Sequence, residues 1–374
     1  MTRERSGTNG KSASFRRAAG IALINLVIII LLFTLLEGAA SIAFVAHTII
    51  RAPAAPQHEH AEHDAALGWV NLPNVDLPNF YGPGAGVQTN SQRFRSAHDF
   101  PRTVPEGKLR IVCSGDSFSF GYGVANDETW CAGLTMLDPR LETVNMGVNG
   151  YGVDQTFLRY RRDGTRLEHQ LQLLSLITDD FNRMRSDRFL GYGKPLLAVR
   201  TDSLVVTNLP VPRTSGLEQR RRALQKAAAG LSVVRLARRV LGADRGSRSG
   251  EDAQTSAGLR MVVAHILTDL RRLNEAQQSR LVVVYLPADG DHRSEPATDA
   301  WRAFVRAEAE RQGVAFIDLV DEIRSLPARE IDRLYAPNLH FTVAGNEWAA
   351  EALYRRLKPM LDSLHVNAPR PGST

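Results

Sequence analysis

The 374-residue chain has ordinary apolar and charged fractions, so it is long enough to bury one large core with appendages. Its formal charge of +6 would suit a nucleic-acid binder. However, the first seventeen residues carry +4 and residues 213–248 carry +8, which leaves the remainder near −6. No nucleic-acid recognition motif accompanies either basic block, and we therefore exclude nucleic acid as a partner.

The first predicted element is a membrane-spanning helix. A basic tail, residues 1–17, precedes an apolar run over 18–46 that exceeds the roughly 20 residues needed to cross a bilayer. Basic residues on its N-terminal side predict an N-terminus inside the cell. A cleavable signal peptide is the alternative, because small residues suited to signal peptidase follow at Ala39, Ala40 and Ala43. The run is longer than a usual signal core, so we favour an uncleaved, single-pass anchor in the inner membrane with the remainder exported.

Residues 47–66 are rich in Pro and Ala and predict a linker leading away from the membrane. His58, His60 and His63 lie among acidic residues there, a composition that suits a transition metal. A tether supplies no outer shell to orient such ligands, so we favour a solvated spacer and predict no metal site. Residues 67–108, rich in Pro, Gly and Asn, predict an irregular extension packed on the main domain.

The main domain is predicted over residues 109–362, followed by a short tail at 363–374. Apolar runs of strand length alternate with helical patterns, which predicts a three-layer α/β/α sandwich around a mostly parallel sheet. The predicted strands lie in 109–117, 141–152, 171–180, 279–288 and 314–320, and the helices are 257–276, 298–312 and 345–358. Functional sites of such sheets form at the carboxyl ends of the strands.

Residues 185–256 interrupt this alternation and predict a helical insertion. An apolar stripe surrounded by Arg and Lys is formed by Leu217, Leu224, Leu231 and Val234. One interpretation is a basic amphipathic cap that contacts anionic lipid or an acidic polymer. We favour a solvated helix packed on the sheet.

Three motifs at predicted strand ends and loops carry chemistry. Ser117 lies in GDSFSFGYG, where a strand gives way to a glycine-containing loop. A serine becomes a nucleophile when a base accepts its proton and donors stabilise the oxyanion. Asn145 ends the next strand, and Gly150 follows it on a glycine-rich path with an accessible N–H. His340 lies in a loop ahead of an amphipathic helix and supplies a candidate base.

The blocks RIVCSGDSFSFGYGV, VNMGVNGYGVDQ and LHFTVAGNEWAAEAL resemble, in this order, the motifs of the SGNH/GDSL hydrolase superfamily over residues 109–360. LGWVNLPN and NSQRFR resemble the region that precedes the domain in membrane-anchored bacterial members. The resemblance implies a flavodoxin-like α/β/α fold. It also implies that Ser117 is the nucleophile, Gly150 the oxyanion-hole glycine and His340 the general base.

The sequence departs from the family pattern in the third block. The family carries an Asn–Asp pair whose Asn donates to the oxyanion, whereas this chain reads ITDDFNRM. Asp179 stands in the place of that Asn, and a carboxylate cannot donate a hydrogen bond. Either Asn182 substitutes for it, or the hole consists of the N–H groups of Ser117 and Gly150.

A second departure concerns the acid that orients the histidine. The family places it two or three residues earlier, where this chain has Asn338 and Pro337. A Ser–His dyad held by a backbone carbonyl or by Asn338 is one hypothesis. A carboxylate from Asp180 or Asp332 is the other.

The two cysteines, Cys113 and Cys131, flank the nucleophile motif. An exported protein can form disulfides, but no spacing rule brings this pair together. We therefore expect two buried, unpaired, small apolar residues.

The leading hypothesis is an exported serine esterase that removes an acyl group, for instance acetyl, from a cell-envelope glycan or lipid through an acyl-serine intermediate. An O-acyltransferase working with polysaccharide-modification proteins is the first alternative. A non-catalytic binding protein is the second. No phosphate-binding glycine loop or zinc spacing occurs, so we predict no cofactor.

Overall fold

The computed structural model describes residues 17, 20–38, 60–189, 191–213, 250–293 and 296–364. The chain divides into two units, of which the first contributes helix α1, Gly20–Gly38. This helix has a mean hydropathy of 2.6 over 19 residues, which suffices to cross a membrane. A membrane anchor and a signal sequence share these properties. Most of the predicted basic tail lies outside the described residues.

The second unit contains thirteen described strands and nine described helices. The strands are β1 (Ala61–Asp64), β2 (Gly68–Asn71), β3 (Asp76–Leu77), β4 (Val87–Gln88), β5 (Leu109–Ser114), β6 (Leu141–Asn145), β7 (Leu171–Leu176), β8 (Arg188–Phe189), β9 (Tyr192–Gly193), β10 (Leu196–Arg200), β11 (Ser203–Thr207), β12 (Arg280–Tyr285) and β13 (Ala315–Asp318). The helices are α2 (Ser117–Phe120), α3 (Trp130–Leu137), α4 (Val153–Asp163), α5 (Thr178–Arg183), α6 (Gly250–Ala276), α7 (Pro296–Arg311), α8 (Val320–Arg324), α9 (Ala328–Leu334) and α10 (Val343–Ser363).

The central sheet has the order β13–β12–β7–β5–β6, and every neighbouring pair is parallel. Its inner strands β5, β7 and β12 bury side chains on both faces, which explains why their sequences are mainly apolar. In β5, Val112 packs into the cluster that contains α4, α6 and α7, whereas Ile111 and Cys113 pack toward α3 and α10. The predicted three-layer sandwich is therefore confirmed.

The N-terminal extension begins earlier than predicted. Strand β1 pairs with β2, so residues 61–64 of the expected linker belong to the folded unit. His60 is buried and stacks on Phe120, while His63 Nε2 bonds the Val211 carbonyl at 2.9 Å. His58 lies outside the described residues, within which no group of three or more His, Cys, Asp or Glu side chains is arranged to hold a metal.

The described part of the predicted insertion is not helical before α6. Its strands form two antiparallel pairs, β8–β9 and β10–β11, and the second pair is a hairpin. The second hairpin follows from LLAVR and SLVVT, which are rich in β-formers and are joined by Thr201 and Asp202 at φ 47° and 61°. The predicted amphipathic stripe from Leu217 to Val234 lies outside the described residues.

The expectation of unpaired cysteines is wrong, because Cys113 and Cys131 form a disulfide. Cys113 lies in β5, and Cys131 lies in the first turn of α3, which packs on the same face of the sheet. The pairing depends on this tertiary packing, so cysteine spacing alone did not reveal it.

Candidate active site

Ser117 lies just beyond the carboxyl end of β5, at the first position of α2. The Asp116 carboxylate caps this helix by accepting a hydrogen bond from Phe118 N at 2.8 Å. Gly115 fits the turn because a Cβ there would lie 2.2 Å from the hydroxyls of Ser119 and Ser175. The turn thus fixes the serine hydroxyl at the carboxyl edge of the sheet, where α/β proteins with parallel sheets bind their ligands.

His340 reaches Ser117 from the loop between α9 and α10. Its Nε2 lies 2.9 Å from Ser117 Oγ, and its Nδ1 lies 2.9 Å from the carbonyl oxygen of Asn338. A carbonyl only accepts, so Nδ1 carries the proton and Nε2 offers its lone pair to the serine hydroxyl. Leu339, at φ 67°, turns the chain between the two partners.

Two aromatic rings flank the histidine. The rings of Phe118 and Tyr122 lie 5.0 Å and 4.7 Å from that of His340. Burial lowers the pKa of His340 below its usual value, although the Asn338 carbonyl and the Asp116 charge oppose this shift. The imidazole is therefore neutral at neutral pH, as a general base must be.

The glycine loop that follows β6 packs directly on α2. Asn145 Nδ2 donates to the Ser119 carbonyl at 2.7 Å, and its Oδ1 accepts from Gly147 N at 3.0 Å. A Cβ on Gly147 would lie 2.1 Å from Phe120 N, so only glycine permits this approach. Gly150 follows in the same loop with φ 78°, a conformation that favours glycine.

A buried ion-pair cluster lies next to Ser117. Asp116 Oδ2 lies 3.2 Å from Ser117 Oγ and accepts a hydrogen bond from Arg183 Nη1 at 2.8 Å. The same nitrogen donates to Asp180 Oδ1 at 2.7 Å. Burial raises the pKa of Asp180, and the Asp116 charge raises it further, against the opposing charge of Arg183. Asp180 also accepts from Ile177 N at 3.0 Å, so it braces α5 rather than His340.

The structure brings together only some of the candidate helpers. Asp179 and Asn182 are exposed on α5, where Asn182 Nδ2 lies 3.4 Å from Asp179 Oδ1. Within the described chain, neither residue forms a hydrogen bond with Ser117 or His340. Asn338 meets His340 through its carbonyl, and its side-chain oxygen accepts from His340 N at 3.2 Å. Asp332 is exposed on α9 and makes no hydrogen bond with His340.

Two residues of the site were not singled out from the sequence. Asp116 lies inside the GDS motif, where its position before the serine was an available signal. Arg183 follows Asp180 by three residues, and this helical spacing predicts the local ion pair but not the bond to Asp116. The resulting arrangement of a serine, a histidine and a nearby glycine loop is suited to acyl transfer.

Residues 113–348 match the model of the GDSL-like Lipase/Acylhydrolase family. No curated protein matches the chain. Among solved structures, a putative lipolytic protein of the G-D-S-L family from Desulfitobacterium hafniense DCB-2 is 14% identical, with 66% of this chain and 99% of that chain covered and a TM-score of 0.37. A family two carbohydrate esterase from Clostridium thermocellum, in complex with cellohexaose, is 12% identical over 71% and 68%, with a TM-score of 0.40. A lipase/acylhydrolase from Enterococcus faecalis is 12% identical over 70% and 100%, with a TM-score of 0.41.

Proposed function

The chain belongs to the GDSL-like lipase/acylhydrolase family and is an ester-hydrolysing enzyme, and from this premise we propose that it removes an acyl group from a cell-envelope glycan outside the cytoplasm, with Ser117 as the nucleophile. The observation that carries the proposal is the 2.9 Å contact between His340 Nε2 and Ser117 Oγ, with Nδ1 held by the Asn338 carbonyl. This is the contact that a serine needs to attack an ester.

In the proposed reaction, Ser117 Oγ attacks the ester carbonyl carbon while His340 Nε2 takes the hydroxyl proton. The carbonyl oxygen becomes an oxyanion, which accepts hydrogen bonds from the N–H groups of Ser117 and Gly150. The C–O bond to the alcohol then breaks, and His340 returns the proton to the departing oxygen. Water attacks the acyl-serine with His340 again acting as base, which releases the acid and restores the hydroxyl.

An extracytoplasmic location is supported by two independent features. Helix α1 is long and apolar enough for an anchor, and basic residues precede it. The Cys113–Cys131 disulfide suits an oxidising compartment, since cytosolic thiols are kept reduced. Both features favour a domain that works beyond the inner membrane.

A glycan ester is favoured by the aromatic surface next to His340. The Tyr122 ring contacts the imidazole, and the Tyr81 ring lies 4.8 Å from that of Tyr122. Because His340 returns its proton to the departing alcohol, the groups around it line the alcohol side of the site. Aromatic faces pack well against the C–H face of a sugar ring, whose hydroxyls remain free at its edges.

The test is acetate release by the detergent-solubilised full-length chain from acetylated xylo-oligosaccharides and from 4-nitrophenyl acetate. We expect release from both, and we expect Ser117→Ala to lower it by about 10³-fold or more. Equal acetate release by the wild type and Ser117→Ala would contradict the proposal. Activity confined to long-chain lipid esters would replace the glycan with a lipid substrate.

Acyl transfer to a sugar hydroxyl is the second candidate. The aromatic surface formed by Tyr81 and Tyr122 favours it, because a bound acceptor there would approach the acyl-serine from the alcohol side. Hydrolysis and transfer share the acyl-serine and differ in whether water or a sugar attacks it. An added glycan that diverts the acyl group from free acetate to acetylated glycan identifies a transferase.

A further inference from the structure

The N-terminal extension lies before the family-matched residues 113–348 and nevertheless contacts both loops of the active site. Strand β2 packs against the glycine loop that carries Gly150. Arg95 contacts the loop that follows Ser117. Both contact regions are buried, and together they contribute several side chains to the main core.

Side chains from this extension hold the glycine loop by its backbone. Trp69 Nε1 donates to the Asn149 carbonyl at 2.9 Å, and Asn71 Nδ2 donates to the Gly147 carbonyl at 3.2 Å. His60 Nε2 lies 3.2 Å from Asn149 Nδ2. Trp69 and Asn71 are each about 1% exposed, so water does not compete for these bonds. The residue immediately before Gly150 is thus held through both its carbonyl and its side chain.

The bonds continue on the other side of Gly150. Tyr151 Oη donates to the Trp69 carbonyl, and Gln155 Nε2 donates to the Leu67 carbonyl at 2.7 Å. The LGWVN segment therefore spans Gly150 and anchors the chain before and after it. A peptide held on both sides has little freedom to rotate its N–H away from the site.

Arg95 performs the corresponding task for the nucleophile loop. Its guanidinium donates to the carbonyls of Phe120, Gly121 and Val124 and lies 4.6 Å from the centre of the Phe120 ring. Burial lowers the pKa of Arg95 to about 10, which leaves it charged at neutral pH. Phe120 ends α2, so these bonds satisfy carbonyls that a four-residue helix leaves open.

We propose that the N-terminal extension completes the active site by positioning, with Trp69 and Asn71 fixing the loop of Gly150 and Arg95 fixing the loop of Ser117. The proposal rests on the proposed function, in which the N–H groups of these two loops receive the oxyanion. Oxyanion donors act because they are held in place before the charge develops. The three side chains touch the loops and not the substrate, so they are positioning residues.

The principal test is Trp69→Phe in the full-length chain, which keeps an aromatic ring and removes the indole N–H. Tyr160→Phe is the matched control, because it deletes a buried hydroxyl that bonds His169 and Asn274 near the amino ends of the strands. For Trp69→Phe we expect kcat for 4-nitrophenyl acetate to fall by about tenfold or more with KM nearly unchanged. Removing a whole oxyanion donor lowers kcat by roughly 10²–10³-fold, and we expect a smaller loss because Trp69→Phe loosens the donor without removing it.

A boronic acid that forms a tetrahedral adduct with Ser117 supplies a second readout. Its inhibition constant should rise by the same factor as kcat falls, because adduct and transition state use the same hole. Tyr160→Phe should change neither quantity, even where both variants lower the thermal midpoint equally. An unchanged kcat in folded Trp69→Phe, or an equal loss in the control, would overturn the proposal.

Hydrogen exchange separates this proposal from the proposed function, since it needs no turnover. Amides 147–151 should exchange at least tenfold faster in Trp69→Phe and in the milder Asn71→Ser than in wild type and Tyr160→Phe. Unchanged exchange in both variants would overturn the positioning role even in an active enzyme. If these amides exchange faster in both variants but the wild type has no esterase activity, the extension positions the loop of Gly150 and the proposed function is wrong.

Discussion

Three features of its surroundings set the pKa of His340. Burial against aromatic rings favours the neutral imidazole, the Asn338 carbonyl favours the proton on Nδ1, and the Asp116 carboxylate favours the cation. Burial dominates, so the pKa of His340 lies below its ordinary 6.5. A carbonyl in place of the usual carboxylate fixes the tautomer without adding a full negative charge beside the ring.

The first prediction concerns the pH dependence of turnover. Only neutral His340 accepts the serine proton, and a lowered pKa keeps it neutral further into the acid range. We therefore expect kcat/KM for 4-nitrophenyl acetate to fall with decreasing pH at a midpoint below 6.5. Asp116→Asn removes a charge that raises this pKa, so its midpoint should move to still lower pH. A midpoint above 6.5 in the wild type, or an upward shift in the variant, would contradict the account.

The second prediction concerns the missing oxyanion donor. Asp179 is exposed in the first turn of α5, and the resemblance to the SGNH/GDSL superfamily implies a donating Asn at this position. Asp179→Asn exchanges an acceptor for a side chain that can donate. We expect kcat to rise by about tenfold, which is less than the full value of an oxyanion donor because an exposed amide also bonds water. Asn182→Asp is the reciprocal variant and should leave kcat within twofold of the wild type.

The proximity of Ser117 and His340 was predicted from the order of the sequence motifs, which resembles that of the SGNH/GDSL superfamily, although His340 follows helix α9 and not a strand. The sequence did not predict which group bonds His340 Nδ1. The Asn338 carbonyl reaches it because Leu339 adopts a left-handed conformation, which no sequence motif indicates. Arg183 was missed for a related reason. Its second partner, Asp116, comes from a different strand end.

Among the elements, β5 and α3 are joined by both packing and a covalent bond. The disulfide closes a segment with a sequence separation of 18 residues that contains Ser117 and the loop that follows it. The third prediction is that Cys113→Ala with Cys131→Ala lowers the free energy of unfolding by about 2–4 kcal/mol. Urea unfolding of both proteins, with and without reductant, measures this difference. Reductant should lower the free energy of unfolding of the wild type only. An equal change in the double variant would show that the disulfide is not the cause of the difference.

The elements show where sequence patterns suffice and where they fail. The inner strands β5, β7 and β12 were predicted because burial on both faces makes them mainly apolar. The edge strands β6 and β13 are less apolar and partly exposed. Strands β8 to β11 were assigned to a helical insertion because residues 217–234 of the same segment carry a helical stripe in sequence, although LLAVR and SLVVT contain β-branched residues. Strand β1 was assigned to a linker because AEHD is polar, and its pairing with GWVN depends on packing over the glycine loop.

At the scale of the whole molecule, the chain combines an apolar N-terminal helix with a folded unit whose disulfide suits an oxidising compartment. The fourth prediction is that the full-length chain stays in the membrane pellet after carbonate extraction. Its N-terminus should be protected, and its folded unit should be digested by protease added to spheroplasts. A mature soluble chain that begins between Ala39 and Ala43 would instead identify a cleaved signal peptide.

The central claim is that Ser117 is a nucleophile activated by His340 within a folded esterase. Its most direct test is labelling of the full-length chain by a fluorophosphonate probe, with the modified peptide identified by mass spectrometry. We expect stoichiometric labelling at Ser117 that is lost in Ser117→Ala and slowed by about 10³-fold or more in His340→Ala. A correctly folded wild-type chain that stays unlabelled, or that is labelled at another residue, would contradict it and favour a non-catalytic binding protein.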